Sequence, residues 1–474
     1  MSLDHDNEAD RLSARATRYA RLGVNAGALA ARVGVNRLRG GTREADAKAL
    51  ASALGSMKGP LMKVGQLLST IPDALPQDYA NALMRLQSQA PPMGATFVRR
   101  RMQAELGPNW RERFAEFDFK PSAAASLGQV HKAKSLEGEW LACKLQYPDM
   151  ASAVEADLSQ LDLLFSLHRR MGAAINTREI AQEIRERVRE ELDYEREAKI
   201  AWLYRLMLAD RPFVRVPRVE ETLSTRRLLT LQWLDGEKLT QFENAPQEAR
   251  NAITVGLFDA WWRPFLRYGV IHGDPHLGNY TVAASGEVAN HVVDGVNLFD
   301  YGCVRIFPPR FVLGVVELYR GFKAHDEARI AQAYEMWGFS RLSRGALEAM
   351  NIWARFLCGP ILDDRVRTTA DGVSPAEYGR KELGQVMRAL RAEGGGLVVP
   401  REFVFLDRAT IGLGGAFLRL GARLNFHRLY EDAIEGFDVE TVARRQAGAL
   451  EAVGLAGKAP FPLGRGAGVS GSIG

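Results

Sequence analysis

The sequence predicts an α+β fold of two lobes, a small strand-rich one and then a large helical one, with a helical extension ahead of both. Three observations predict it. Short apolar runs lie between Pro121 and Leu145 and again between Val214 and Trp233. From about residue 240 onward the pattern is mostly helical, apart from strand-like sequence over 279–300. Two polar segments border that stretch: His-Gly-Asp-Pro-His-Leu-Gly-Asn at 272–279 and Asp-Tyr-Gly at 300–302.

In chain order, 1–45 is expected to be a basic, partly disordered segment. Its first ten residues are polar and acidic. Arg11, Arg15, Arg18, Arg21, Arg32, Arg37, Arg39 and Arg43 follow with no acid among them. That suits a basic helix, either packed on the body of the protein or lying on an anionic membrane surface. Gly23, Gly27 and Gly34 weaken it as a helix. Residues 46–115 read as a helical extension punctuated by Pro72, Pro76, Pro91 and Pro92, with Lys63-Val64-Gly65-Gln66 inside it.

Residues 116–235 form the expected N-lobe. Pro121 to Leu145 reads as strand, turn, strand, ending in Ala142-Cys143-Lys144-Leu145. Thr177 to about Ala209 reads as one strong helix capped by Asn176 or Thr177. Residues 228–232 are the clearest further strand. Residues 236–440 form the helical C-lobe, and 441–474 a flexible Gly-rich tail.

Length and composition narrow the function. A chain of 474 residues exceeds one average domain. Its 46% hydrophobic and 25% charged content is that of an ordinary globular protein. A net charge of +5 with no basic–aromatic stripe gives no argument for nucleic acid as a partner. The 3 cysteines, far apart, suit neither a zinc site nor a disulfide framework, so a reducing, cytoplasmic setting is expected. No signal-peptide pattern opens the chain, and no run reaches about 18 apolar residues. Any membrane association is therefore expected to be peripheral.

The spacing from Asp274 to Asn279 matches the Asp-x-x-x-x-Asn of a kinase catalytic loop, and Asp300-Tyr301-Gly302 matches the metal-binding Asp-Phe-Gly. Phosphoryl transfer needs hard oxygen ligands for Mg²⁺, which Asn279 and Asp300 supply. Lys144 stands where a strand lysine grips the phosphates of ATP or ADP, and Glu197 is its candidate helix partner. Asp274 is either a general base or an organiser of the loop. His272 and His276 do not make a metal pair, because Gly273 and Pro275 break the helical turn such a pair needs.

A G-x-G-x-x-G loop is absent. Ala123, Ala124, Ala125 and Ser126 occupy its place, so the phosphate loop should be stiffer than a glycine loop. After Asp300-Tyr301-Gly302 there is no Ser/Thr-rich activation segment and no Ala-Pro-Glu, which argues against protein substrates.

Together these residues resemble the UbiB/AarF/ADCK family of atypical kinase-like proteins. The match rests on Lys63-Val64-Gly65-Gln66 (KxGQ), the alanine-rich segment 123–129, Glu191-Leu192-Asp193 (ExD) and His272 to Asn279. Pro400-Arg401-Glu402-Phe403 and Leu406-Asp407-Arg408-Ala409 add to it. The resemblance implies a bilobal atypical protein-kinase-like fold whose N-terminal extension covers the nucleotide cleft. It implies gating by Lys63 and Gln66, with Lys63 facing Glu191 and Asp193. It implies ATP and Mg²⁺ as cofactors and a role in ubiquinone or related isoprenoid-lipid metabolism. The substrate would be a small molecule or lipid, and quinone-biosynthesis enzymes would be partners. Asp193 and Glu197, four apart, are expected on one helix face.

Two function classes follow. One is an ATPase or phosphotransferase. The other is a nucleotide-sensing scaffold that regulates partner enzymes. A small-molecule kinase of the aminoglycoside or choline-kinase type shares the His-Gly-Asp-x-His-x-x-Asn pattern, but the KxGQ and ExD pair speaks against it.

Overall fold

A computed structural model describes residues 93–125, 127–148, 191–274, 276–285, 292–339, 342–370, 379–392 and 401–457, with short pieces between 150 and 190. Expectations for the basic segment, for Lys63 and Gln66, for Ser126, for the start of the long helix and for the tail beyond 457 lie outside these residues.

The chain divides into two units. Unit 1 runs to Ala198 and takes in Val219–Trp233; unit 2 comprises Lys199–Arg218 and everything from Leu234 onward. The first boundary falls inside a helix.

Unit 1 is built on a four-stranded sheet in the order β1-β2-β3-β5. The strands are β1 (Glu116–Ala125), β2 (Gly128–Lys134), β3 (Trp140–Gln146) and β5 (Leu228–Gln232). All neighbours pair antiparallel. The sequence led us to expect strand, turn, strand over 121–145; three strands stand there, and β1 begins at Glu116. Period-two alternation decides the faces. Leu141, Cys143 and Leu145 of β3 are fully buried. They join Val98, Met102 and Leu106 of helix α1 (Ala95–Leu106), together with Trp110 and Phe114, in one core cluster. Ala142, Lys144 and Gln146 therefore point to the other face.

Unit 2 carries a second four-stranded sheet, β4-β9-β8-β6, and a two-stranded ladder, β7 with β10. Here β4 is Val214–Arg215, β6 Glu237–Lys238, β7 Val270–His272, β8 Tyr280–Ser285, β9 Val292–Leu298 and β10 Val304–Ile306. The long helix α3 (Gln247–Tyr268) buries Ile253, Leu257, Trp261 and Phe265 and packs on β7 and β9. It ends at Gly269 in the left-handed conformation (φ 65°), which turns the chain straight into β7. Helices α4 (Pro309–Ala324), α5 (Glu327–Met336), α6 (Arg344–Leu362), α7 (Arg380–Ala392), α8 (Arg401–Leu420), α9 (Phe426–Ala433) and α10 (Val439–Ala452) complete the unit. The expectation of a flexible tail from 441 is corrected here: α10, capped by Asp438, buries Val442, Ala449 and Leu450 and carries the fold to Ala452. Leu406 and Ala409 of α8 are buried. No helix among the described residues is long and apolar enough to cross a membrane. All three cysteines are free. Burial pushes the Cys143 and Cys358 thiols up to about 12, so neither is a ready nucleophile at neutral pH.

The helix expected from Thr177 to Ala209 is not continuous. Glu191 and Leu192 form a turn, and α2 spans Tyr194–Met207. Asp193 precedes the helix and caps it: its Oδ1 accepts the Arg196 backbone N–H at 2.9 Å. The expectation that Asp193 and Glu197 share a helix face is corrected accordingly. An aspartate at such a position competes for backbone N–H groups, and here that competition starts a new helix.

Candidate functional site

In unit 1, Lys144 sits on β3 between Val130 of β2 and Leu229 of β5. Its Nζ donates to both carboxylate oxygens of Glu197, at 2.7 and 2.9 Å. The Lys144 side chain is 17% exposed and that of Glu197 3%. Such burial makes the pairing a commitment, because either charge alone would be costly there. The Tyr194 ring lies 5.2 Å from Nζ and adds a cation–π contact. Tyr194 and Glu197 are one turn apart on α2, so one helix face serves the lysine from two sides.

Nearby, Arg189 binds Glu155 (2.7 and 2.9 Å), and Arg196 reaches Glu190 at 3.8 Å. Glu191 is buried, and the adjacent Leu192 carbonyl accepts from Gln146 Nε2 at 3.2 Å. Strand β3 thus holds the turn before α2 as well as the glutamate within it.

The alanine-rich segment is strand and not loop. Ala123, Ala124 and Ala125 close β1 and pair with Val130, Gln129 and Gly128 of β2. Gly128 is needed for close approach: a Cβ there would meet the Leu145 carbonyl oxygen at 2.3 Å and the Tyr194 hydroxyl at 2.9 Å. The start of β2 is consequently pressed against both β3 and the base of α2. Behind it, Gln129 Oε1 accepts the Met93 N–H (2.8 Å), and Gln129 Nε2 meets His131 Nε2 (2.8 Å). His131 Nδ1 reaches the Asp118 carbonyl at 2.9 Å.

In unit 2, the segments 272–279 and 299–304 are stitched together by backbone. Gly273 N–H donates to the Cys303 carbonyl (2.9 Å) and Phe299 N–H to the Asn279 carbonyl (2.9 Å). A Cβ on Gly273 would stand 2.4 Å from that Cys303 oxygen, so only glycine allows the approach. His272 is fully buried in a box of Tyr204, Trp261 and Tyr301 rings, with centroids at 5.5 to 6.2 Å. Its Nδ1 accepts weakly from the Asp274 N–H (3.4 Å), and its Nε2 donates to the Phe299 carbonyl (3.1 Å). This pattern requires the neutral imidazole. Burial lowers its pKa, while Asp274 and Asp300 pull the other way.

Asp274 and Asn279 are both buried, and Asn279 Nδ2 donates to the Asp274 carbonyl at 3.2 Å. That bond engages the amide through its nitrogen and leaves the side-chain oxygen as its acceptor end. Asp300 holds φ 60° and ψ 82°, a left-handed backbone that aspartate tolerates better than most residues but still at a cost. Tyr301 after it is buried, its hydroxyl anchored on the Leu298 carbonyl at 2.6 Å. His276 is exposed and caps the short turn Leu277–Asn279 by accepting the Gly278 N–H.

The donor set suits Mg²⁺. Among the described residues no group of three or more His, Cys, Asp or Glu could hold a metal ion. Mg²⁺ asks for less, since it usually takes one or two protein oxygens and completes its shell with phosphate and water. Residues that sequence reasoning passed over include Tyr194, Gln146 and the tethered Phe299 carbonyl. Only Tyr194 carried a signal, standing three residues before Glu197 within Glu-Leu-Asp-Tyr-Glu-Arg-Glu.

Unit 1 thus carries a strand lysine held by a helix glutamate, and unit 2 carries two acidic loops tied together by backbone, each a recognisable kinase-like element. The ABC1 atypical kinase-like domain matches residues 85–334, and the chain belongs to that family. Rat (Rattus norvegicus) mitochondrial atypical kinase COQ8B is 30% identical over 61% of this chain and 54% of its own length. Yeast (Saccharomyces cerevisiae) mitochondrial atypical kinase COQ8 is 28% identical over 56% of this chain and 52% of its own. The chain thus spans about half the length of these curated relatives. Among solved structures, Rv3197 of Mycobacterium tuberculosis in complex with erythromycin superposes with a TM-score of 0.57 at 27% identity, covering 83% of this chain and 97% of that one.

Proposed function

We propose that this protein binds Mg²⁺–ATP and hydrolyses it or transfers its γ-phosphoryl group to a small molecule or lipid. The observation that carries the reading is the buried, two-oxygen grip of Glu197 on Lys144. A lysine placed only for packing or solubility has no need of a 97% buried counter-ion; one that must meet phosphate with its charge kept and aimed does.

In this reading Lys144 binds the α- and β-phosphates. Asn279 and Asp300 hold Mg²⁺, whose charge neutralises the phosphate oxygens during transfer. Asp274 faces the acceptor hydroxyl or water and takes its proton. Neutral His272 keeps the backbones of Asp274 and Phe299 in register, so that Asp274 and Asp300 are presented together. Lys63 and Gln66, with Glu191 and Asp193, act as gate, and Ala123 to Ser126 as the phosphate-side hairpin. The kinship with COQ8 proteins supports a place in ubiquinone or related isoprenoid-lipid metabolism, and the acid-free arginines from Arg11 to Arg43 support peripheral placement at the inner face of a membrane.

Phosphate release from Mg²⁺–ATP, with and without added isoprenoid-phenol lipids, tests the reading. Asp274→Asn should lower turnover by at least about a hundredfold with little change in ATP affinity. Equal turnover in wild type and Asp274→Asn would contradict it.

The second reading, nucleotide sensing without turnover, is favoured by one observation: Ala123–Ala125 are laddered strand residues, not a pliable loop. Under it, Ala125→Gly should change the preference between ATP and ADP while phosphate release stays at background.

A further inference from the structure

We propose that Arg99 and Arg111, carried on the ring of Phe119, form a phosphate-binding site in unit 1 that makes no use of Lys144. Arg99 Cζ lies 4.7 Å from the Phe119 centroid, and Arg111 Cζ lies 5.1 Å from the same ring and 5.7 Å from Trp110. The three come from three elements: α1, the short turn Trp110–Arg113 and β1. The platform beneath them is rigid. Phe119 stands edge-on to Trp110 (6.2 Å) and Phe117 (5.4 Å), and Trp110 is 4% exposed within the core cluster.

Two like charges drawn to one ring repel each other unless an anion stands by. Among the described residues neither arginine has an ion-pair partner, although acids are close in sequence. Those acids are engaged elsewhere. Glu105 pairs with Arg101 (3.6 Å) and accepts from Thr225 (2.6 Å), Glu116 pairs with Lys134 (3.5 Å), and Asp118 accepts the Lys120 N–H (2.8 Å). Glu112 is exposed to solvent.

Holding each guanidinium carbon near the ring restricts its side chain and removes in advance part of the freedom that binding would otherwise cost. Two exposed guanidiniums anchored on one ring, each a multiple N–H donor, suit a phosphate carrying at least two negative charges. The phosphate could be that of a lipid headgroup or of a soluble phosphate; the recognition chemistry is shared.

The test is calorimetric titration of the full chain with inorganic pyrophosphate, without Mg²⁺, in wild type and in the Lys144→Met background. Arg99→Gln and Arg111→Gln should each weaken binding about tenfold, in both backgrounds. Arg101→Gln, which removes a charge already paired with Glu105, should change it less than about twofold. Both target arginines are exposed, so loss of folding does not cloud the comparison. A second arm measures flotation with phosphatidic acid and phosphatidylcholine vesicles. Arginine-dependent retention on phosphatidic acid alone, competed by pyrophosphate, supports the site with a headgroup as its source. Arginine-dependent pyrophosphate binding without vesicle retention supports the site with a soluble phosphate. Two results overturn it: unchanged pyrophosphate affinity in Arg99→Gln/Arg111→Gln, which reduces the stacking to packing, or an Arg101→Gln effect as large as the others, which reduces it to diffuse charge.

Discussion

Glu197→Gln separates the charge at position 197 from its shape. The glutamine keeps an acceptor near Lys144 but leaves the ammonium, 17% exposed, without its counter-ion. At 2.7 Å and an effective dielectric of about 20, the lost attraction is at least the ~4 kcal/mol of a pair at 4 Å. The usual outcome of removing one member of a buried pair is a loss of about 3–5 kcal/mol. One retained hydrogen bond places the expectation at the lower end, about 3 kcal/mol of unit 1 stability. Lys144→Met strands the opposite charge and should cost a similar amount. The double variant removes both charges of the pair together and should cost clearly less than the two losses added, with a coupling of about 2 kcal/mol. Urea denaturation followed by tryptophan fluorescence measures all four corners of the cycle. A coupling below about 0.5 kcal/mol would show that the pair is worth no more than an exposed salt bridge, and would remove the ground for reading Lys144 as a held phosphate ligand.

Other outcomes follow from the same geometry. His131 and His272 are both buried neutral, and burial lowers the pKa of each below its unfolded value of about 6.5. Their contribution is fully present above that value and is lost as pH falls toward the folded pKa values, because the unfolded chain takes up protons first. For His131, a proton on Nε2 would face the Gln129 amide donor, with the Phe117 ring stacked at 5.5 Å and Asp118 as the facing acid. Thermal denaturation should therefore shift downward below about pH 6.5, and His131→Gln should flatten that slope; an equal slope in the variant would count against it. Asp193→Ala should cost about 1 kcal/mol through the lost cap of α2. It should also loosen Glu197 one turn later, so nucleotide affinity should fall together with stability. An unchanged melting temperature would refute the capping role.

Much of the fold was legible because its signals are local. Alternation over Leu141 to Leu145 marks β3, and the run at 228–232 marks β5. Lys144 and Glu197 were paired from their order alone, and the structure brings them together. The turn at Glu191–Leu192 was not legible. The acids and arginines around it are all good helix formers, and the break depends on Asp193 winning backbone N–H groups and on Gln146 holding the Leu192 carbonyl from a distant strand. Ala123–Ala125 were misread as loop for a related reason. Alanine has low strand propensity, and it is pairing with β2 that makes them strand. That Arg99 and Arg111 meet one ring depends on Phe119, and nothing in the spacing of the three announces it.

If Asn279, Asp300 and Lys144 serve a magnesium nucleotide, thermal denaturation with ATP, with and without Mg²⁺, will register it. At nucleotide concentrations about 100 times Kd, binding should add about 2.7 kcal/mol to stability. The gain should require Mg²⁺, should vanish in Asp300→Asn and should be much reduced in Lys144→Met. Stabilisation of wild type by neither ATP nor ADP in the presence of Mg²⁺, or equal stabilisation of wild type and Asp300→Asn, would contradict the account.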